Sequence, residues 1–89
     1  MKAIYKVPNG KLIKIHADIK NNKIQNIKIT GDFFCHPEEK FSEIEKSLLY
    51  VPFEEEIIKN KIKQIIQQQN LTLIGLSPDD LTKTIMMLT

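Results

Sequence analysis

Alternating apolar and polar positions in the first third of the chain predict an antiparallel sheet. The segment Lys11–Lys20 alternates most clearly, with apolar residues on one face and polar ones on the other. Before it, Ala3–Val7 is a short run compatible with a strand, and Pro8-Asn9-Gly10 between the two has turn-forming residues in order. A third strand follows the Asn21-Asn22 turn. The pattern therefore predicts a three-stranded meander with one apolar face.

The third predicted strand changes phase near its start and ends at an aromatic corner. Ile24 is out of phase with the later apolar residues, which predicts a β-bulge near Gln25-Asn26. The strand then runs into Gly31-Asp32-Phe33-Phe34, called the elbow below, which holds two of the four phenylalanines. A glycine here indicates a backbone geometry that a Cβ would forbid, and an aspartate beside two aromatic rings needs hydrogen-bond partners.

Helical spacing in the rest of the chain predicts three helices that cover the apolar face. The first is expected from Pro37 to about Leu49, with acidic residues in its first turn. The run Glu54-Glu55-Glu56 begins the second, and the charge order there permits a Glu55–Lys59 pair. Ser77-Pro78-Asp79-Asp80 begins the third with an N-cap and an early proline.

The order of these elements predicts the fold class. Strands come first and helices follow, which is typical of α+β folds. The segment Leu71–Leu76 could add one extra short strand, and Gly75 is expected to turn the chain there. With no repeat or linker in the sequence, residues 1–89 are expected to form a single domain.

Composition and charge exclude several classes of function. The 89 residues include 13 lysines, no arginine and 11 acidic residues, for a net charge of +2. The lack of arginine argues against sequence-specific nucleic-acid recognition, although lysines could attract nucleic acid non-specifically. A single cysteine allows no internal disulfide, and no segment approaches the length of a membrane span. We therefore expect no nucleic-acid or membrane partner and a cytoplasmic location.

The sequence offers few groups for catalysis, so no catalytic residue and no metal site are predicted. Cys35 and His36 are neighbours that rarely point at each other, and His16 lies on the polar strand face. One cysteine and two histidines fall short of the usual four-ligand zinc site. The three glycines are scattered and form no phosphate-binding loop. Asp32 is expected to cap a nearby helix or to hold a turn, and a direct contact with substrate is the alternative.

Several stretches together resemble one known family, the accessory domain of lipoate-protein ligases. The resemblance covers nearly the whole chain. Its motifs here are Gly10-Lys11-Leu12, the strand Ile27–Thr30 running into the elbow, Pro37, Ile44-Glu45, and Gly75 with Asp80-Leu81. One departure is that a glycine often found after the first helix is missing near Leu49-Tyr50.

The resemblance implies a function that the residues alone do not supply. It implies a non-catalytic small subunit that forms a heterodimer with a catalytic large subunit, is needed to activate lipoate to lipoyl-AMP, and so indirectly serves lipoyl-domain acceptor proteins. The complex would use ATP, Mg and lipoate, none of them bound by this chain alone. Within the elbow, Gly31 and Asp32 are expected to set the turn, Phe33 to anchor the hairpin onto the helices, and Phe34 to face the partner.

Two other interpretations stay open at this point. One is a sulfur or iron–sulfur scaffold-like module in which Cys35 carries the group. The other is a lysine-based, non-specific nucleic-acid binder.

Overall fold

The computed structural model describes residues 1–8 and 11–88, which form an α+β fold. Asn9 and Gly10, which belong to the turn predicted between the first two strands, lie outside the described residues. The strands are β1 (Lys2–Lys6), β2 (Leu12–Lys20), β3 (Lys23–Gly31), β4 (Phe34–His36) and β5 (Thr72–Ile74). The helices are a 3-10 helix (Glu38–Lys40), α1 (Phe41–Ser47), α2 (Glu55–Gln68) and α3 (Pro78–Met86).

The predicted meander is confirmed as a three-stranded antiparallel sheet in the order β1-β2-β3. Its register shifts by one residue between Asp18, opposite Asn26, and Ile19, opposite Ile24. Gln25 is therefore the extra residue of a bulge, as the phase change predicted. The bulge turns Ile24 to the same face as the later isoleucines, and its side chain is fully buried there.

The second sheet pairs β4 with β5 in antiparallel register, so the extra short strand is confirmed and β4 is its unpredicted partner. Because β4 keeps the chain extended through His36, the helical region begins later than the sequence predicted. Pro37 has an extended conformation (ψ 137°) ahead of the 3-10 helix. The expectation that Pro37 is the first residue of a long helix was therefore wrong, and α1 ends at Ser47, close to the predicted boundary.

The core lies between the apolar face of the first sheet and the helices. Its largest fully buried side chains are mostly isoleucine and leucine: Ile13, Ile15, Ile24, Ile44, Leu48, Ile58, Ile62, Leu81 and Ile85. Burying an aliphatic side chain of this size contributes about 1.5–3 kcal/mol relative to leaving it exposed. The core thus contains side chains from both the strands and the helices. The sheet and the helices bury their apolar faces against each other.

Charged and polar residues link the last two helices and cap the start of α3. The Lys59 Nζ atom lies 3.1 Å from Asp79 Oδ1 of α3, so Lys59 pairs across to the next helix and not with Glu55, the pair that the charge order permits. This hydrogen-bonded contact raises the pKa of the Lys59 ammonium. The Ser77 side chain accepts a hydrogen bond from the Asp80 N–H, and the Asp80 carboxylate accepts one from the Ser77 N–H, so the predicted helix start is a full capping box.

Tyr50 adopts the backbone conformation of the glycine that the family resemblance led us to expect after the first helix. Its φ angle is +64°, in the left-handed region that glycine usually fills after a helix. The Tyr50 N–H donates to the Ile24 carbonyl at 2.7 Å, and Ile24 N–H donates to the Val51 carbonyl at 3.1 Å. These bonds tie the end of the first helical region to the start of β3.

No helix within the described ranges is long and apolar enough to cross a membrane.

Two glycines with positive φ allow a matched test of the elbow. A Cβ on Gly31 would collide with the Leu12 carbonyl oxygen, whereas a Cβ on Gly75 would meet only Lys11 side-chain atoms at ordinary distances. Their φ angles are +156° and +85°. We expect Gly31→Ala to lower the free energy of unfolding by about 3 kcal/mol or more, because it adds a backbone collision to the strain.

Gly75→Ala, which adds only the conformational strain, should cost about 1–2 kcal/mol. Urea unfolding of both variants measures the difference. Equal losses, or a larger loss for Gly75→Ala, would contradict the role assigned to Gly31.

Candidate functional site

The elbow turns the chain out of the first sheet and into the second. Gly31 ends β3 with its backbone pressed against β2 at Leu12, where only a glycine fits. The Asp32 N–H donates to the Leu12 carbonyl at 2.9 Å. Backbone contacts to β2 therefore hold the turn at both Gly31 and Asp32.

The Asp32 side chain is exposed and does not act as a cap. The 3-10 helix, α1 and α2 have no side-chain cap, and α3 is capped by Ser77. Of the two expectations for Asp32, helix capping was wrong. The turn is held, but through the backbone N–H of Asp32 and not through its carboxylate.

Phe33 points inward and connects the elbow to α1. Its ring lies 5.0 Å from the Phe41 ring, centroid to centroid, at an interplanar angle of 43°. This is a tilted arrangement that aromatic pairs favour. Both rings pack against the core. The contact agrees with the prediction that Phe33 anchors the hairpin onto the helices.

Phe34 points outward, and a second apolar residue lies directly opposite it. Phe34 is 68% exposed and pairs in register with Ile74 of β5, which is 59% exposed. Residues opposite each other in an antiparallel pair have Cβ atoms roughly 5 Å apart and share a face of the sheet. We call Phe34 and Ile74 the exposed pair. Sequence reasoning found Phe34 and missed Ile74, because the partner of Phe34 depends on a long-range strand register.

The polar residues of the second sheet complete this face. His36 and Thr72 are the next opposed residues and are also exposed, while Cys35 and Leu73 between them are half-buried on the other side. The surface around the exposed pair is therefore apolar at one end and polar at the other. Such a face can pack against another protein but holds no group poised for bond making.

Cys35 is placed for packing and not for chemistry. Its thiol donates to the Pro37 carbonyl oxygen at 3.6 Å, and His36 lies on the opposite side of β4. Burial raises the pKa of the Cys35 thiol, and the nearby Glu38 and Glu39 carboxylates raise the pKa further. A thiolate, which nucleophilic attack or metal binding needs, is thus disfavoured.

An open groove of about 330 Å³ runs beside the elbow. Its walls come from the end of β3, from β4, from the 3-10 helix and from α1, and its lining residues are Ile29, Thr30, Gly31, Phe33, Cys35, Glu38 and Phe41.

Across residues 1–8 and 11–88, no three His, Cys, Asp or Glu side chains come together as metal ligands would.

Glu45 has a structural role that the sequence did not reveal. Its carboxylate accepts a hydrogen bond from the Ile29 N–H of β3 at 2.7 Å. Neighbouring Ile44 is fully buried. The Ile44-Glu45 step of the family pattern thus places one residue in the core and uses the next to satisfy a backbone amide on the outer edge of the sheet.

A known family and a known protein resemble this chain over most of its length. The family described as "Bacterial lipoate protein ligase C-terminus" matches residues 4–85. The protein named lipoate-protein ligase A subunit 2 from Thermoplasma acidophilum is 33% identical over 72 residues, which are 78% of this chain and 70% of that protein.

A solved structure has the same fold. It is described as an archaeal lipoylation system with a bi-partite lipoate protein ligase and its E2 lipoyl domain, also from Thermoplasma acidophilum. The TM-score is 0.81 at 26% identity, and the match covers 99% of this chain and 96% of that one.

The raised pKa of Cys35 predicts slow alkylation of the folded protein. At neutral pH the Cys35 thiol should react with iodoacetamide more slowly than the same thiol in urea, because both the thiolate fraction and access are lower in the folded state. The folded-state rate should keep rising with pH above the pH at which the unfolded-state rate levels off. Mass spectrometry of the alkylated chain measures both rates. A folded chain that reacts faster than the unfolded one would contradict the assignment.

Proposed function

Since the chain belongs to the family of bacterial lipoate protein ligase C-terminal domains, we propose that it acts as the non-catalytic small subunit of a two-part lipoate-protein ligase. In this proposal it pairs with a catalytic large subunit as a heterodimer. The pair activates lipoate with ATP to give lipoyl-AMP and then modifies lipoyl-domain acceptor proteins. The resemblance to a protein named as a second subunit supports a separate small subunit.

The exposed pair is the observation that supports this function best. Large apolar side chains at 68% and 59% exposure, opposed on a short sheet, form a small apolar patch next to the polar residues His36 and Thr72. Patches of this kind are typical of protein interaction sites, whose central aromatic residues often dominate the binding energy. We assign the exposed pair to the contact with the large subunit, with the elbow residues Gly31, Asp32 and Phe33 supporting it.

An accessory role also agrees with the chemistry of the site. Nucleophilic catalysis requires a base within hydrogen-bond reach of the nucleophile, whereas the Cys35 thiol donates to a backbone carbonyl. Gly10, Gly31 and Gly75 are far apart in the sequence and do not form a phosphate-binding loop. We therefore assign ATP, Mg and lipoate binding to the large subunit. This chain would act through the shape of the complex.

Reconstitution tests the function directly. The chain is mixed with a large subunit from the same source, and lipoate-dependent release of pyrophosphate from ATP is measured. We expect adenylate formation to depend on this chain and to saturate as its concentration rises. The same rate with and without the chain would contradict the proposal. Cys35→Ser should support the same rate as the unaltered chain, and its failure would favour the sulfur-carrier alternative.

Matched phenylalanine variants test the interface in the same assay. Phe34→Ala should raise the concentration of chain needed for half-maximal stimulation by about tenfold, because a central aromatic contact is lost, with little change in melting temperature. Phe33→Ala, which removes a ring packed against the core, should instead lower the melting temperature clearly. The opposite pattern would place Phe34 in the fold and not in the interface.

A further inference from the structure

The charges of this chain are divided between its sheet and its helices. Residues 1–36 hold seven lysines and two aspartates, a net charge of +5, while residues 37–89 hold six lysines and nine carboxylates, a net charge of −3. The overall value of +2 hides this division. A chain with such opposed halves presents surfaces of opposite sign to its partners.

The positive charge collects on the sheet face turned away from the helices. Lys2, His16 and Lys28 stand opposite one another in one row across the three strands, and Lys14 lies in the next row between Ile4 and Thr30. All of these side chains are exposed. We call the set Lys2, Lys6, Lys14, His16 and Lys28 the basic face.

Little within the described structure neutralises the basic face. The two ion pairs between described residues, Lys46 with Glu43 and Lys59 with Asp79, both lie in the helical half. In the described strands the face carries one carboxylate, Asp18, which accepts a hydrogen bond from Asn26 Nδ2 at 2.6 Å. No lysine of the basic face stands directly opposite a carboxylate in the strand register. An acidic partner surface would supply the missing opposite charge.

We propose that the basic face receives an acidic surface of the acceptor protein during lipoyl transfer. This inference rests on the proposed function. The two surfaces described above differ in character: the exposed pair is apolar, whereas the basic face is charged with a single exposed aliphatic residue, Ile4, among its lysines. Interfaces between permanently associated subunits are more apolar than those of transient complexes. Charged surfaces instead speed up association and are typical of transient complexes.

An acceptor protein must arrive and leave in every reaction cycle, so a charged face suits it. Three features favour a protein over a nucleic acid here. The chain has no arginine, the basic face has no phenylalanine, tyrosine or tryptophan on which bases could stack, and both Ile4 and Asp18 lie on it.

Paired lysine variants of the reconstituted complex test this proposal. Lys14→Gln/Lys28→Gln removes two charges from the basic face, and Lys61→Gln/Lys63→Gln removes two from α2. The acceptor used is an unlipoylated lipoyl domain. We expect the first variant to raise the KM for this domain about threefold to tenfold at low ionic strength, with lipoyl-AMP formation in the absence of acceptor unchanged.

Salt should raise the KM of the unaltered complex and raise that of Lys14→Gln/Lys28→Gln much less, because fewer charges remain to be screened. The α2 variant should behave like the unaltered complex. An unchanged KM would overturn the proposal, as would a loss of binding to the large subunit, which would place the basic face in the subunit interface. Lysine-dependent retention on duplex DNA with an unchanged KM would assign the face to nucleic acid. Failure of the proposed function itself would appear earlier, as an unaltered chain that does not stimulate lipoyl-AMP formation.

Discussion

The close approach of Gly31 to the Leu12 carbonyl is the constraint on which the rest of the structure depends. It lets β3 end against β2, and the Asp32 N–H then fixes the turn on the same carbonyl. From that turn the next two aromatic side chains separate. Phe33 goes inward to Phe41, and Phe34 goes outward beside Ile74. One backbone contact therefore sets both an internal anchor and an external surface.

The same turn also decides which surfaces the chain presents. Because β4 leaves the first sheet and pairs with β5, the second sheet exposes an apolar pair that the helices do not cover. In the first sheet, the apolar face packs in the core and the lysines lie on the solvent-exposed face. An accessory subunit needs such a division, since it has to hold one partner while others come and go.

Local patterns in the sequence were enough to predict the elements with a strong period. The alternation of Lys11–Lys20 gave β2, the phase of Ile24 gave the bulge, and Ser77 through Asp80 gave the start of α3. These features depend on neighbouring residues, whose preferences are written in the chain. Phe33 and Phe34 could be assigned to opposite sides for the same reason.

Features that depend on distant residues could not be predicted in this way. The pairing of Phe34 with Ile74 joins residues 40 positions apart, and it also delayed the helix expected at Pro37. Lys59 has three acidic residues nearby, Glu55 and Glu56 within its own helix and Asp79 of α3, and the packing of α2 on α3 decides that it pairs with Asp79. The basic face likewise needs the register of three strands. Each of these three features depends on the tertiary structure and not on local sequence.

The central claim is that the exposed pair is where this chain meets its large subunit. The most direct measurement is the methyl NMR spectrum of the isoleucine-labelled chain as the unlabelled large subunit is added. Ile57 of α2 is the internal reference, since it is 40% exposed on a different element. If the large subunit binds at the exposed pair, the Ile74 methyl signal should shift or broaden first, while the Ile57 methyl signal should keep its chemical shift. Binding that perturbs Ile57 and leaves Ile74 unchanged would contradict it.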